Sequence, residues 1–374
     1  MKTFRCAVLS AVKHDYVARG VASHPRFEMA VVADDPHVPD WAHERNQQFA
    51  DANHIPYLRD VEQALSGLNV DVAIVSPEAG RHCDLSIRAA LAGKHVVQDK
   101  PVATRRGDAE RLVEVIERTG VKFLMWNRNF LPAILHAKEQ IDAGAIGRVC
   151  AVHVDFYFAK DAGPPKALPQ ADKGERLDWY AHQIAAHIDG SDGGLGVEPM
   201  GELAIEGIYP LGYIRMLTNQ NVRRVFARSA SHFHQLYADN GVEDLASLTL
   251  EMDDGVIGTV ALGRIGAASH PSGGEIKLHI IGETGALVMN EAFPNLGIYY
   301  RNQPAKESRQ RRVASDNDFR LAENFAQAID SGGATIMDAR ASLAIFATCE
   351  AALESCRTGQ VVNVSNQKPS LTTP

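Results

Sequence analysis

The sequence predicts a two-domain α/β protein, in which a doubly wound parallel sheet is followed by an α+β domain with a large open, mostly antiparallel sheet. Three observations support this prediction. The 374 residues exceed what one hydrophobic core usually holds. Apolar strands alternate with helical patterns up to residue 126. Beyond residue 147, apolar and polar residues alternate with a period of two, which is typical of antiparallel strands.

The first predicted domain, residues 1–126, is a series of strands joined by helices. Its predicted elements are strand Phe4–Ser10, helix Tyr16–Ser23, strand Phe27–Ala33, helices Trp41–Asn53 and Val61–Ser66, strand Val70–Ser76, helix His82–Ala92, strand His95–Gln98, helix Asp108–Thr119 and strand Lys122–Trp126. Right-handed crossovers between such strands produce a parallel sheet of the Rossmann type.

The second predicted domain, residues 127–374, begins with a helix and continues in alternating strands. Its predicted elements are helix Leu131–Ala143, strands Val149–Phe158, Ala246–Met252, Val256–Leu262 and Glu275–Ile281, and helices Asp318–Asp330 and Asp338–Cys356. Asp253-Asp254-Gly255 and Gly282–Gly285 have the composition of tight hairpin turns. We expect one face of this sheet to form a homodimer or homotetramer interface, which light scattering would test.

Composition argues against several classes of protein. The formal net charge of −8 and the pI near 6.0 exclude the basic face that nucleic acid or an anionic membrane requires. The first apolar stretch stops at Lys13 and resembles a strand more than a leader, and no apolar run is long enough to span a membrane. The five scattered cysteines fit reduced core thiols. We therefore expect a soluble, cytoplasmic protein.

A lysine follows one of the short apolar strands of the first domain. The segment Gln98-Asp99-Lys100-Pro101 places Lys100 at the carboxyl end of strand His95–Gln98. Open α/β sheets bind ligands at this edge. Pro101 prevents the strand from continuing and favours an extended backbone at the preceding residue, Lys100. Lys100 is therefore a candidate active-site cation; the alternative is a solvated lysine at a strand end.

Four segments carry a resemblance to a known family. The first is Ser76-Pro77-Glu78-Ala79-Gly80-Arg81-His82, which is one residue longer than the family pattern Thr/Ser-Pro-x-x-x-His. The second and third are Asp99-Lys100-Pro101, which corresponds to Glu-Lys-Pro, and Asn127-Arg128-Asn129-Phe130, which approximates Asn-x-Arg-Phe. The fourth runs from Ala341-Ser342-Leu343 through Ser355-Cys356-Arg357-Thr358-Gly359 near the end of the chain. In this order the chain resembles the Gfo/Idh/MocA oxidoreductase family over almost its whole length.

The resemblance implies an NAD-dependent dehydrogenase that takes hydride from a sugar, sugar acid or cyclitol. It assigns Lys100 and Tyr209 to catalysis. The residues it suggests for cofactor binding are Ser10, Lys13, His14, Asp34, Ser76, Pro77, His82, Asp99 and Asn127. Arg128, His182 and Glu206 are the candidates for contacting a small polyol substrate. No metal is expected, because the five-residue spacing of His182 and His187 does not place both on one helical face.

The first turn departs from the family pattern. Ser10-Ala11-Val12-Lys13-His14-Asp15 replaces Gly-x-Gly-x-x-Gly and contains no glycine, although those glycines let backbone N–H groups reach a pyrophosphate. Lys13 and His14 are then either side-chain phosphate donors or exposed turn residues. Asp34 ends the second strand, where a carboxylate accepts hydrogen bonds from the ribose; its alternative is a turn residue before Pro36. Without a cation in the segment Asp34–His37, NAD is favoured over NADP.

A second departure lies in residues 200–211. Many relatives read Asp-x-Gly-x-His, whereas this chain has Ile205 and Tyr209 at those two positions. Branches resembling glucose-fructose oxidoreductase and dihydrodiol dehydrogenase carry tyrosine there, and an ammonium such as that of Lys100 favours the phenolate. Glu206 or Glu202 is the candidate for the missing carboxylate. Alternatively, Tyr209 is a core aromatic residue.

Two other functions stay open on the sequence. A glycosidase or lyase on the same scaffold would recycle bound NAD and release no net NADH. A sugar- or nucleotide-sensing regulator would explain the glycine-free first turn, although the presence of Lys100 and Tyr209 argues against it.

Overall fold

The structure is a computed structural model of the 374-residue chain. It describes residues 2–158, 200–233, 235–265, 275–291, 295–300, 302–309 and 316–365. The chain divides into two compact units, each with its own sheet. The predicted fold class, a parallel Rossmann-like sheet followed by a mostly antiparallel one, is confirmed.

The first unit is built on a six-stranded sheet whose described pairs are all parallel. Its elements are β1 (Phe4–Leu9), α1 (Asp15–Ala22), β2 (Phe27–Ala33), α2 (Asp40–Ala52), β3 (Tyr57–Leu58), α3 (Val61–Gly67), β4 (Val72–Val75), a 3₁₀ turn (Ala79–Arg81), α4 (His82–Leu91), β5 (His95–Gln98), α5 (Arg106–Thr119) and β6 (Phe123–Met125). The strand order is β3-β2-β1-β4-β5-β6, so the direction of winding reverses between β1 and β4. Such a reversal opens a ligand-binding crevice at the carboxyl ends of the strands.

Burial on both faces of the sheet explains why the strands of the first unit are mostly apolar. Every residue of β4 is buried, as expected for a parallel sheet covered on both faces. Helix α5 ends at Gly120, whose φ of 70° is a left-handed conformation that glycine adopts without strain. The carboxyl ends of the predicted strands lie within two residues of the prediction.

A helix near the end of the chain belongs to the first unit, although the sequence assigned it to the second domain. This helix, α10 (Asp316–Ser331), lies in the stretch that ends at Leu343 and clusters with residues 1–127. Arg26 forms a bidentate ion pair with Asp330, and the rings of Phe27 and Phe325 stack 6.0 Å apart. The domain boundary predicted from the sequence could not include these contacts, because they join residues about three hundred positions apart.

The second unit is a nine-stranded mixed sheet with helices. Its elements are α6 (Pro132–Asp142), β7 (Val149–Phe158), α7 (Glu202–Glu206), α8 (Ile208–Thr218), β8 (Val222–Ala230), α9 (Gln235–Asp239), β9 (Leu245–Met252), β10 (Ile257–Arg264), β11 (Glu275–Gly282), β12 (Gly285–Asn290), β13 (Asn295–Tyr300), β14 (Lys306–Arg309), α11 (Ala339–Thr358) and β15 (Val362–Asn363). The strand order is β14-β13-β12-β11-β7-β10-β9-β8-β15, and β7 and β10 pair in parallel.

The sheet of the second unit has one buried face and one open face. Both predicted hairpin turns are present, joining β9 to β10 and β11 to β12. The open face mixes exposed apolar side chains with polar ones; the exposed apolar residues on it are Phe226, Ile257, Val288 and Tyr299. Self-association through this face stays a prediction. Among the described helices, none combines the length and apolar character needed to cross a bilayer.

Candidate active site

Lys100 lies at the carboxyl edge of the first sheet, two residues beyond β5, as predicted. Its side chain is buried, and its backbone N–H donates to Asp99 Oδ1 over 2.8 Å. Its carbonyl oxygen accepts a hydrogen bond from Lys13 Nζ at 2.8 Å. The turn after β5 is thus joined to the turn after β1, on either side of the crevice between β1 and β4.

The turn after β1 keeps its tight path without glycine because Ser10 adopts a left-handed backbone, with a φ of 64°. Its backbone N–H groups donate within the protein: that of Ala11 to Asn46 Oδ1 at 2.8 Å, that of Lys13 to Ser76 O, and that of His14 to Ser76 Oγ. These amides are therefore not aimed at a bound pyrophosphate in the way a glycine-rich turn would aim them.

Lys13 and His14 do not project into solvent as simple turn residues. His14 Nδ1 lies 2.7 Å from the carboxylate of Asp99, which also accepts from Ser76 Oγ at 3.4 Å. Burial lowers the pKa of His14 despite this carboxylate. Burial alone would raise the pKa of Asp99, but its interactions with His14 and Lys13 hold it well below the ordinary range. The carboxylate of Asp99 is therefore ionised, with Lys13 as one of the cations that stabilise its charge.

His82 is fully buried and connects two motif turns. Its Nδ1 lies 2.7 Å from Pro101 O and its Nε2 lies 3.1 Å from Pro77 O. Burial and the charge of Lys13 lower the pKa of His82 to about 4. At neutral pH the ring thus carries one proton, which we place on Nδ1 because that contact is shorter. His82 thus holds the Lys100–Pro101 turn against the Ser76–Pro77 turn, and its contact with the cofactor stays a prediction.

This arrangement makes part of the stability pH-dependent. The pKa of His82 is about 4 in the folded protein against 6.5 in the unfolded chain, so the unfolded chain binds the proton first as the pH falls. Stability is then complete above pH 6.5 and is lost toward pH 4. Between pH 7 and pH 5, wild type is expected to lose about 2 kcal/mol more unfolding free energy than His82→Asn. Urea denaturation at both pH values measures this, and equal losses in the two proteins would contradict it.

Asp34 also lies where the sequence placed it, at the end of β2, but its carboxylate is already bound. Oδ1 accepts from Asp35 N at 2.8 Å and Arg81 Nη1 at 2.6 Å, while Oδ2 accepts from Asn46 Nδ2 at 2.8 Å and Arg81 Nη2 at 3.4 Å. A carboxylate offers about four acceptor positions, and these contacts use all of them. A ribose hydroxyl would have to displace one of these donors.

Tyr209 lies in the first turn of α8 in the second unit and is buried. The guanidinium of Arg128 lies over its ring, 4.7 Å from the centroid, and the ring of Phe156 is 5.7 Å away. A cation over the ring face is attracted by the aromatic quadrupole. Arg128 and Phe156 therefore fix the plane of the phenol ring. Both readings of Tyr209 from the sequence, proton carrier and core aromatic, agree with this burial.

The two carboxylates proposed to replace the missing aspartate lie together at one arginine. Glu202 Oε1 accepts from Arg264 Nε at 2.7 Å and from the hydroxyl of Tyr237, and Glu206 Oε1 lies 3.6 Å from Arg264 Nη2. Burial raises the pKa of Tyr237 to about 12, so its phenol stays protonated and donates to Glu202. This buried group places Glu206 one turn before Tyr209.

Of the remaining predicted site residues, Asn127, Ser76 and Pro77 lie in the described parts of the chain. Asn127 is buried, and its Nδ2 donates to Met125 O at 2.7 Å. Ser76 and Pro77 lie at the end of β4, where their contacts bind the first turn and His82. His182, with the rest of the long connection at 160–199, lies outside the described residues.

Three residues of the first unit that the sequence did not suggest belong to this edge. Asn46 accepts a hydrogen bond from the Ala11 amide and donates one to Asp34. Its position among the buried residues of α2 is the feature that could have indicated this role. Arg81 and Glu78 lie inside the Ser-Pro motif itself, but nothing in the motif shows that Arg81 reaches back to Asp34.

Comparison with known proteins gives two family matches, one after the other along the chain. The model described as the oxidoreductase family, NAD-binding Rossmann fold, matches residues 13–127. The model described as the oxidoreductase family, C-terminal alpha/beta domain, matches residues 138–364. Together they span most of the chain.

Individual relatives are similar at moderate identity. Scyllo-inositol 2-dehydrogenase (NAD(+)) of Bacillus subtilis (strain 168) is 27% identical over 292 residues, which are 76% of this chain and 72% of the relative. Inositol 2-dehydrogenase 2 of Saccharopolyspora erythraea is 25% identical over 312 residues, 82% of this chain and 80% of the relative. Among solved structures, levoglucosan dehydrogenase in complex with NADH has the same fold, with a TM-score of 0.79 at 18% identity over 97% of this chain and 99% of that one.

Proposed function

Because this chain belongs to the Gfo/Idh/MocA oxidoreductase family, we propose that Lys100 and Tyr209 carry the proton transfer of its dehydrogenase reaction. The protein is an NAD-dependent oxidoreductase that removes hydride from a hydroxyl-bearing carbon of a sugar or cyclitol. The observation that carries the proposal is the position of Lys100. This residue follows β5 by two positions at the carboxyl edge of a Rossmann-type sheet, its side chain is buried, and its backbone N–H donates to the ionised Asp99.

The residues at this edge fit a dinucleotide, although not through a glycine-rich turn. The ammonium of Lys13 belongs to the turn after β1, where a Rossmann-type domain binds the pyrophosphate, and a lysine binds phosphate oxygens by charge-assisted hydrogen bonds. We propose that Lys13 takes the place of the backbone amides of a glycine-rich turn, and that Ser10, Ser76 and Asn127 complete the cofactor contacts. Bound NAD⁺ supplies the hydride acceptor.

The proposed chemistry of the side chains divides into two parts. Lys100 binds the reacting hydroxyl and stabilises the oxygen as negative charge develops on it, which is most effective in a site that excludes water. The phenolate oxygen of Tyr209, favoured by the ammonium of Lys100, receives the hydroxyl proton and becomes the neutral phenol. A positioned acid–base group of this kind contributes roughly 10²- to 10⁴-fold in rate. Arg128, His182 and Glu206 are the proposed contacts to the other hydroxyl groups of the substrate.

A substrate screen tests the proposed function. Purified protein is incubated with NAD⁺ and a panel of inositols, aldoses and anhydrosugars, and NADH formation is followed by absorbance. We expect net NADH with at least one cyclitol or sugar. Conversion of a glycoside without net NADH would instead indicate the cofactor-recycling reaction. Binding of NADH and a sugar without any conversion would favour the regulator.

A further inference from the structure

An arginine meets the carboxylate at the end of β2, where a Rossmann-type domain binds the adenosine ribose. Arg81 comes from the 3₁₀ turn after β4, and its Nη1 lies 2.6 Å from Asp34 Oδ1. In dinucleotide-binding domains, an arginine near this carboxylate accommodates the 2′-phosphate of NADP. By residue type alone, this corner of the first unit would therefore fit NADP.

Three carboxylates surround that guanidinium. Glu78 binds it side-on through Nε and Nη2, the latter at 3.1 Å, and Asp34 binds it through Nη1 and Nη2. Asp35 Oδ2 lies 3.8 Å from Nη1. Burial alone would lower the pKa of Arg81, but Glu78 and Asp34 outweigh burial and raise it. The forked edge with which an arginine binds a phosphate is thus occupied by Glu78.

The neighbouring arginine does not supply the charge that Arg81 lacks. Arg88 forms a bidentate pair with Asp35, both contacts at 2.9 Å, and also contacts Glu62 at 2.9 Å and Asp84 at 3.3 Å. In this cluster, five carboxylates surround two guanidinium groups, which leaves a net charge of −3. A 2′-phosphate would bring about two more negative charges to it.

We propose that Glu78 determines the cofactor specificity of this protein by holding Arg81 against Asp34, so that Arg81 is withheld from the 2′-phosphate of NADP. The inference rests on the NAD-dependent function proposed above and adds the residue that sets the choice. Like charges placed against the wrong ligand are an effective means of rejecting it. Asp34 then acts mainly as the second carboxylate that holds the guanidinium of Arg81, since its own acceptor positions are filled.

Removal of Glu78 should release the forked edge of Arg81. Wild type and Glu78→Ala are titrated with NADH and NADPH by fluorescence, and with 5′-AMP and adenosine 2′,5′-bisphosphate by calorimetry. The Kd ratio of NADPH to NADH should fall about 10-fold or more in the variant, the effect of one charge-assisted bidentate contact. The Kd for NADH should stay within about 3-fold of the wild-type value, because Glu78 contacts only the edge of the Arg81 guanidinium that would bind the 2′-phosphate, which NADH lacks. If Glu78→Ala does not fold, the same titrations are carried out with Glu78→Gln, which keeps the side-chain size.

Two further variants separate a specific contact from a general change of charge. Glu62→Ala removes a carboxylate of the same cluster that pairs with Arg88, and should leave the ratio unchanged. Glu78→Ala/Arg81→Ala should lose the gain in NADPH affinity. An unchanged ratio in Glu78→Ala with NADH still bound overturns the inference but leaves the proposed function in place, as does a gain that survives loss of Arg81. Failure of wild type to bind NADH overturns both.

Discussion

Lys100→Met is expected to lower kcat/KM for the polyol about 10³-fold or more, while the Kd for NADH changes by less than about 3-fold. Methionine keeps the length of the side chain and removes its charge, so the developing oxyanion loses its partner. The nucleotide is unaffected because the proposed pyrophosphate contact belongs to Lys13. Steady-state kinetics and a fluorescence titration on the same preparation measure the two quantities.

The same strand supplies a matched control. Lys94 lies just before the amino end of β5, whereas Lys100 follows its carboxyl end, and Lys94 Nζ donates to Val70 O at 3.0 Å. Lys94→Met removes the same charge at the opposite edge of the sheet and should leave kcat/KM within about 3-fold. If Lys100→Met were as active as Lys94→Met, Lys100 would have no part in the chemistry.

The first unit was predictable from the sequence because parallel strands covered on both faces are continuous apolar runs. Strands Phe27–Ala33 and His95–Gln98 have the predicted bounds, and β1, β4 and β6 differ from the prediction by a few residues. The two-residue edge strand β3 was not predicted. The second sheet was less predictable. In β8, Arg223 and Arg224 interrupt the alternation, and the edge strands β14 and β15 have only four and two residues. The parallel pairing of β7 with β10 depends on chain topology, which local alternation does not encode.

The site was predictable in position but only partly in contacts. The strand ends that carry Asp34, Ser76 and Lys100 follow from the strand predictions and the shared edge of a parallel sheet. The ion pair between Asp34 and Arg81 joins residues 47 positions apart, and the inward hydrogen bonds of the first turn depend on Asn46, a residue of another helix. Such contacts follow from packing, and a sequence motif does not carry that information.

Tyr209→Phe is expected to lower kcat roughly 10²- to 10⁴-fold, because it removes the proposed proton carrier. The ring keeps its contacts with Arg128 and Phe156, so folding and the Kd for NADH should be nearly unchanged. Tyr213→Phe is the matched control: Tyr213 follows one turn later on α8, is equally buried, and its ring lies 6.2 Å from Phe156. Wild-type turnover in Tyr209→Phe would transfer the acid–base role to another residue, with His182 as the next candidate.

The double variant Lys100→Met/Tyr209→Phe tests whether the two residues act as one unit. If Lys100 favours the phenolate of Tyr209 and both act on the same hydroxyl, removing the second residue costs little once the first is gone. The double variant should then be hardly slower than the slower single variant, because losses within one catalytic unit are not additive. Losses that multiply, with a double variant slower by the product of the two single effects, would show that Lys100 and Tyr209 act independently. Pre-steady-state traces with NAD⁺ and substrate distinguish a slower chemical step from slower product release, and only the chemical step should slow in these variants.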